Sequence, residues 1–434
     1  MRFSQLDGQA IVLWGLGRET RALRAELQRR LPGARIAAVI DDQTPLNDAR
    51  DALAAADVLV RSPGVSIYKQ LIQEALERGL PVTTPTGLWL AERGGERVIG
   101  VTGTKGKSTT ATVLTQLLGT VTEVELAGNI GRPVIELLDL AHDHERWVVL
   151  ELSSYQVSDL LVGPEVALIT NLFREHTDWH GSEARYRADK LRLFTLPQVR
   201  AAVYPLGDPE VESLAGALPG AIPFDDPAGW HLDANGAVRR GSDVILTPEQ
   251  IPLRGRHNAQ NVAIALAALE AAQLPQPALP EALAGLRPLP HRLQTVHDKA
   301  GVEWVDDSIS TTPDSTIAAL EAFAGRSVVL IAGGQERLQE FERLGEVIAT
   351  RVEPTALVTL PDTGARLAAA ARAHGHPEDR MSAAADMREA TARALALAGS
   401  GAVVLLSPAA PSYNAYADFE ERGADFAACA RAVS

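Results

Sequence analysis

The chain has 434 residues, and at about 150 residues per domain that length calls for about three domains rather than one core. Its 41 Lys and Arg against 55 Asp and Glu leave a formal net charge of −14, without the basic footprint of a general nucleic-acid binder. The single cysteine, Cys429, excludes an intrachain disulfide framework and a thiolate metal cluster, and fits a reducing cytoplasm. Acidity does not exclude a phosphorylated ligand, because a few placed cations and backbone amides can hold phosphate. The opening Met1-Arg2-Phe3-Ser4 leads into no long apolar core, and no 18 apolar residues run uninterrupted, so neither a signal peptide nor a membrane span is expected.

In chain order, residues 10–14, 36–40, 58–60, 98–102, 147–150, 166–170, 327–331 and 402–406 are short apolar runs that predict buried parallel strands. Stretches with helical spacing lie between most of them, such as 20–30, 69–78 and 108–118. This alternation predicts an α/β protein with parallel sheets. Two joints stand out. Arg93-Gly94-Gly95-Glu96-Arg97 is polar and glycine-rich, and Gly285-Leu286-Arg287-Pro288-Leu289-Pro290 is proline-rich after a long alanine-rich helix. The expected domains are therefore residues 1–93, 94–288 and 289–434.

The strongest motif is Gly103-Thr104-Lys105-Gly106-Lys107-Ser108-Thr109, between the predicted strand 98–102 and a predicted helix starting at Ser108. Its glycines allow a tight turn whose amides converge on one phosphate chain, and the helix N-terminus adds its positive dipole end. Lys107 would reach the terminal phosphates and Ser108 would offer a hydroxyl to Mg²⁺. Counting back five from Gly106 reaches Val101, so the common G-x-x-x-x-G-K-[ST] spacing fails and the loop is a shortened variant. ATP binding is the expectation.

Gly15-Leu16-Gly17-Arg18-Glu19-Thr20 after the first strand opens like a dinucleotide loop but has Thr20 in place of the third glycine. Asp41 ends the next strand, where it could meet a ribose or uracil edge. A nicotinamide dinucleotide, another nucleotide and a merely structural turn all remain compatible with this segment. Glu151 follows the strand 147–150 at the strand end where ligands of open parallel sheets collect, and is a reasonable hard ligand for Mg²⁺. Glu175, His176, Asp178 and His180 cluster after the strand 166–170. His176 could ligate a metal or contact phosphate, and the two histidines, His176 and His180, could instead be a surface pair capping a loop; the cluster offers too few ligands for zinc. Lys190 lies on a predicted helix and, taken alone, reads as an exposed helix lysine.

Together these residues resemble the Mur ligase family, ATP-dependent amide-bond-forming enzymes of peptidoglycan synthesis, closest to its glutamate-adding branch. The resemblance spans the whole chain. It is carried by Ser62-Pro63-Gly64, residues 103–109, Gly128-Asn129-Ile130-Gly131, Glu151-Leu152-Ser153-Ser154-Tyr155-Gln156 and Glu175-His176. Further carriers are Lys190, His257-Asn258 with Asn261, Pro290-His291-Arg292, Asp307-Ser308, Ser407-Pro408 and Phe419-Glu420 with Arg422-Gly423. It implies a Rossmann-like N-terminal domain for the UDP end of the substrate, a central P-loop ATPase-type domain, and a C-terminal Rossmann-like α/β domain for the amino acid.

The resemblance also implies roles. Gly103, Thr104, Lys105, Gly106, Lys107, Ser108 and Thr109 would hold the phosphates of ATP, with Asn258, Asn261, Arg292 and Asp307 completing the nucleotide site. Ser108, Glu151, His176 and a carbamylated Lys190 would serve two Mg²⁺ sites. Leu16, Asp41, Ser62 and Asn129 would contact UDP-N-acetylmuramoyl-L-alanine, and Thr311, Arg337, Ser412 and Phe419 would hold glutamate. Lys107, Glu151, His176 and Lys190 are the implied catalytic set.

Departures from the D-glutamate-adding pattern point to a sub-branch that adds L-glutamate and relies on a later epimerase. Lys105 replaces an Asn, Ile309 replaces a Lys, and Gly333-Gly334-Gln335-Glu336-Arg337 replaces Gly-Gly-Asp-Gly-Lys. An Arg in place of Lys at a carboxylate site changes the demanded geometry, because a guanidinium is a planar fork. The expected reaction runs through an acyl phosphate, in a cytoplasmic monomer with no nucleic-acid or membrane partner. The alternatives are the same reaction with D-glutamate, a folylpolyglutamate synthase-like ligase, and a non-catalytic Mur-like binding protein.

Overall fold

The computed structural model describes residues 1–173, 177–287, 289–299 and 301–433, with only the backbone of residues 177, 178 and 280. Three sheets organise the chain. The first comprises β1 (Ala10–Trp14), β2 (Arg35–Ile40), β3 (Val58–Arg61) and β4 (Val82–Thr83), all parallel, in the order β2-β1-β3-β4. Strands β1 and β3 are buried throughout, as their apolar runs predict. The expectation of a buried strand at 36–40 is corrected. β2 is an edge strand whose residues alternate between exposed and half-buried, closing on buried Ile40. An edge strand has a neighbour on one side only, so less of the structure packs around it than around β1 or β3.

The second sheet holds β5 (Val98–Thr102), β6 (Val124–Gly128), β7 (Trp147–Glu151), β8 (Val166–Ile169), β9 (Ala201–Pro205) and β10 (Gly220–Phe224). It is extended by β11 (Trp230–Leu232), β12 (Val238–Arg240) and β13 (Asp243–Leu246). The order is β13-β12-β11-β10-β9-β8-β5-β7-β6, parallel except for the antiparallel pairs β11–β12 and β12–β13. The central β5 lies between β7 and β8, so the chain crosses from one side of it to the other. Such a crossing opens a crevice at the C-terminal strand ends, where ligands of this architecture bind.

The third sheet holds β14 (Gln294–Lys299), β15 (Val302–Asp306), β16 (Val328–Gly334), β17 (Thr355–Asp362), β18 (Met381–Ala383) and β19 (Val403–Leu406). Its order is β14-β15-β19-β16-β17-β18, with only the β14–β15 pair antiparallel. Two hydrophobic clusters lie on its faces, one under Phe323, Leu344 and Leu367, the other under Trp304, Met387 and Phe426.

The chain divides into two compact units, one of Met1–Pro252 with Asn258–Leu286 and the other of Leu253–His257 with Arg287–Ser434. Within the first unit, the fully buried guanidinium of Arg61 at the end of β3 ties the first two sheets together. It donates to Asp159 Oδ2 at 2.8 Å, Tyr155 O at 2.8 Å, Val65 O at 2.9 Å, Ser158 Oγ at 3.1 Å and Pro63 O at 3.2 Å. Glu19 is also buried and accepts from Thr86 Oγ1 at 2.8 Å and Gln156 Nε2 at 2.7 Å. Burial pushes its carboxyl above the ordinary value. No helix among the described residues is long and apolar enough to cross a membrane.

Candidate active site

The glycine-rich loop joins β5 to the helix Lys107–Leu118, which begins one residue before the expected Ser108. Gly103 has φ 141° and Gly106 φ 80°, both in a region that L side chains avoid. The space is equally restrictive: a Cβ at Gly103 would lie 1.9 Å from Thr170 Oγ1, and one at Gly106 2.7 Å from Asn261 Oδ1. Asn171 holds the loop open, its main-chain oxygen accepting from Thr104 N at 3.0 Å and its Oδ1 from Lys105 N at 2.8 Å. Thr170 Oγ1 donates to Lys105 O at 2.6 Å. Gly106 offers no capping side chain, and the first-turn amides of the helix point out of its N-terminus, where the helix dipole favours an anion. Lys107 Nζ folds back onto Thr104 O at 2.9 Å.

Glu151 ends β7 beside this loop and is completely buried. Its Oε1 accepts from Asn129 Nδ2 at 3.0 Å, while its Oε2 has no hydrogen-bond partner among the described residues. A buried carboxylate oxygen left unmatched is costly unless something else meets it. Thr109 Oγ1 is likewise buried and unmatched among the described residues. An oxygen-only donor set of this kind suits Mg²⁺, which takes one or two carboxylates and completes its shell with phosphate and water. Among the described residues no three His, Cys, Asp or Glu side chains converge as a metal cage.

Lys190 lies on the helix Glu183–Leu191, and the reading of it as an exposed helix lysine is corrected. It is 2 % exposed, its Nζ donates to Gly103 O at 2.8 Å, and it sits 5.0 Å from the Tyr186 ring centre. Tyr186 OH meets Thr104 Oγ1 at 2.8 Å, so this helix grips the glycine-rich loop twice. His176 and Glu175 lie outside the described residues. His180 is described, and it is buried rather than capping a surface loop.

The structure brings Asn258 and Asn261 to the loop as well. Asn261 Oδ1 accepts from Thr110 Oγ1 at 3.1 Å, and its Nδ2 donates to Asn258 Oδ1 at 3.1 Å. Leu16, Asp41 and Ser62 sit at the C-terminal ends of β1, β2 and β3. Ser62 N donates to Trp14 O at 2.8 Å, and Asp41 Oδ1 accepts from Gln43 N at 2.9 Å and Thr44 Oγ1 at 3.1 Å.

Within the second unit, Asp307 follows β15 and is buried. It accepts from Ser407 Oγ at 2.7 Å and Leu293 N at 3.3 Å. Burial pushes its carboxyl up to about 6. Arg292, whose charge acts on Asp307, has a buried Nε without a partner among the described residues. His257 is drawn down to about 4 by burial and the Arg292 charge. Ser412 is buried, and the Arg337 guanidinium lies 5.6 Å from the Tyr413 ring centre. Thr311 is half-buried just before the helix Pro313–Glu321. Phe419 O accepts from Ser308 Oγ at 2.8 Å.

Sequence reasoning assigned no role to Arg422, which is buried and donates to Ser308 Oγ at 2.9 Å, Ser308 O at 2.8 Å and Ala410 O at 3.0 Å. Burial lowers its guanidinium to about 10. It thus fixes the segments bearing Asp307 and Ser412. Thr170, which holds the glycine-rich loop, was missed too. A hydroxyl closing an apolar strand was the one available signal for Thr170.

Residues 101–269 match the model of the Mur ligase middle domain and residues 291–410 that of the Mur ligase glutamate ligase domain. A UDP-N-acetylmuramoyl-L-alanine--L-glutamate ligase of Xanthomonas axonopodis pv. citri is 40 % identical, over 98 % of this chain and 96 % of its own. The chain belongs to the Mur ligase family. The like-named ligase of Salinispora tropica is 36 % identical over 99 % of both chains. Among solved structures, the MurF ligase of Thermotoga maritima in complex with ADP superposes with TM-score 0.62 at 18 % identity, covering 100 % of this chain and 97 % of its own. The UDP-N-acetylmuramate-alanine ligase MurC from the same organism gives 0.61 at 17 % identity, over 98 % of this chain and 100 % of its own. At these identities the two structures show a shared fold.

Proposed function

We propose that the protein is an ATP-dependent ligase that joins L-glutamate to UDP-N-acetylmuramoyl-L-alanine, releasing ADP and phosphate. The observation that carries the reading is the glycine-rich loop leaving β5 next to Glu151 on β7, whose second carboxylate oxygen is buried and unmatched among the described residues. The near-full-length relatives bearing that ligase name support the choice of substrates.

A carboxylate is a poor electrophile with a poor leaving group. In the proposed reaction the L-alanine carboxylate attacks the γ-phosphorus of ATP and ADP departs. The glutamate amine then attacks the acyl carbon, loses a proton, and the C–O bond to phosphate breaks. Charge neutralisation and positioning supply most of the catalysis in such phosphoryl transfer. Lys107, the first-turn amides and the loop glycines would hold the phosphates, with Asn258 and Asn261 setting the loop's back wall. Glu151, Ser108 and Thr109 would hold Mg²⁺, which when bound offsets phosphate charge. Lys190, as a carbamate, would add a carboxylate there in place of its cation, and His176 belongs to the same proposed set. Leu16, Asp41, Ser62 and Asn129 are assigned to the UDP substrate. Arg292 and Asp307 are assigned to the nucleotide, and Thr311, Arg337, Ser412 and Phe419 to glutamate.

In this reading residues 1–93, 94–288 and 289–434 serve UDP-sugar, ATP and amino acid in turn. The enzyme is a cytoplasmic monomer whose product passes to an epimerase. The test is phosphate release from UDP-N-acetylmuramoyl-L-alanine, ATP and Mg²⁺ with L- or D-glutamate in parallel. Turnover with L-glutamate is expected. A preference for D-glutamate overturns the stereochemistry, and no release with either overturns the ligase.

A further inference from the structure

Four polar side chains that the proposed chemistry leaves unused form one hydrogen-bonded chain in the first unit. Tyr68 OH donates to Asp189 Oδ1 at 2.7 Å, His180 Nδ1 lies 2.6 Å from Asp189 Oδ2, and His180 Nε2 lies 3.0 Å from Ser154 Oγ. The order Tyr O–H to Asp carboxylate, His Nδ1–H to the same carboxylate, and Ser O–H to His Nε2 satisfies every group. Burial and the adjacent Asp189 charge push the Tyr68 phenol above its ordinary value, which keeps it a donor. Ser154, His180 and Asp189 are 2 %, 0 % and 7 % exposed. Their connectivity resembles that of a nucleophilic triad, yet a serine so buried meets no substrate.

Aromatic walls enclose this chain. Trp179 stacks on Tyr155 at 4.5 Å and lies 4.5 Å from the His180 ring, while Tyr186 meets His180 edge-on at 5.3 Å. The same region is laced to the loop after β3. Ser66 Oγ donates to Trp179 O at 2.8 Å, and Trp179 Nε1 donates to Gly64 O at 3.0 Å. Asp189 immediately precedes Lys190, whose Nζ reaches Gly103 O, and Ser154 lies three residues after Glu151. The helix Glu183–Leu191 therefore touches the glycine-rich loop through Lys190 and Tyr186, and the loop after β3 where Asp189 meets Tyr68, while His180, just before the helix, links Asp189 to Ser154 in the Glu151 segment.

We propose that Asp189 and His180 are positioning residues which, with Tyr68, clamp the Lys190 helix between the loop after β3 and the segment after Glu151, coupling binding at the first sheet to nucleotide binding at the phosphate loop. This rests on the reading of those two places as the UDP-substrate and ATP sites. Coupling of this kind is reciprocal, each ligand tightening the other by the same factor, commonly 5- to 150-fold. Contiguity alone does not establish it, so the test measures the coupling itself.

Calorimetry would determine ADP–Mg²⁺ affinity with and without saturating UDP-N-acetylmuramoyl-L-alanine, in the unsubstituted protein, Tyr68→Phe and His180→Gln. The unsubstituted protein is expected to bind ADP about 10-fold tighter with the UDP substrate present. Both variants are expected to keep each separate affinity within about twofold while the coupling falls toward unity. A purely structural role would instead lower the unfolding midpoint and both separate affinities together, overturning the proposal. Full coupling in the variants, or none in the unsubstituted protein, overturns it as well. If His180→Gln does not fold, Tyr68→Phe, which removes one hydroxyl, decides alone. Failure of the unsubstituted protein to bind ADP at all overturns the underlying nucleotide-site reading instead.

Discussion

Replacing Arg61 with Met tests how the first two sheets are held together. The guanidinium is 0 % exposed and makes five hydrogen bonds, to one carboxylate, one hydroxyl and three main-chain carbonyls. Methionine fills most of the stem volume but leaves Asp159 buried without its cation, where burial already pushes the carboxyl above its ordinary value. Removing one partner of a buried pair costs about 3–5 kcal/mol. Against a total stability of about 5–15 kcal/mol that is a large fraction. Urea unfolding followed by tryptophan emission should show it, because Trp179 lies 5.5 Å from the Arg61 guanidinium. The transition of the first unit should move to lower urea, while a transition belonging to the second unit stays in place. Asp159→Asn in the Arg61→Met background should recover part of the loss, because an amide is cheaper to bury than a stranded carboxylate. A loss under about 1 kcal/mol, or strictly additive single changes, would refute the reasoning.

Lys107→Ala should lower ATP-dependent phosphate release by at least about 100-fold without shifting the unfolding midpoint, and persistent turnover would remove the loop from the active site. Asp307 holds its proton more tightly folded, at about 6, than its ordinary 3.8, so the folded state binds more protons and stability falls as pH rises between those values. Unfolding free energy should drop by up to roughly 3 kcal/mol across that window, and Asp307→Asn should flatten it; equal slopes would contradict the assignment. Gly423→Ala should destabilise the second unit by about 1–3 kcal/mol in chemical unfolding, because a Cβ there would lie 2.1 Å from His291 Nδ1 and 2.5 Å from Asp306 Oδ2. Lys190→Ala should lose activity that a short carboxylic acid restores, and failure of that rescue in a folded variant would argue against the carbamate.

The strand–glycine loop–helix unit at residues 98–118 was legible in the sequence because its determinants are contiguous. Backbone freedom at Gly103 and Gly106, the cation of Lys107 and the following helix all lie within seven residues of one another. The strands β1, β3, β5, β7, β8 and β19 were legible for a related reason: burial on both faces demands an unbroken apolar run. That demand says nothing about neighbours, so β2 carries a similar run and still ends up at an edge. The three- and four-residue strands β11, β12 and β13 escaped notice because runs so short carry no period, and antiparallel extensions draw their stability from pairing rather than composition. Lys190 shows the limit most plainly. Its helix reads as polar and exposed, and only the docking of that helix onto Gly103 and Thr104 buries it. The chain from Tyr68 through Asp189 and His180 to Ser154 joins residues separated by up to 121 positions. Hydrogen bonds depend on distance in space, so the sequence by itself determined which groups could serve chemistry, and the tertiary structure alone decided which of them meet.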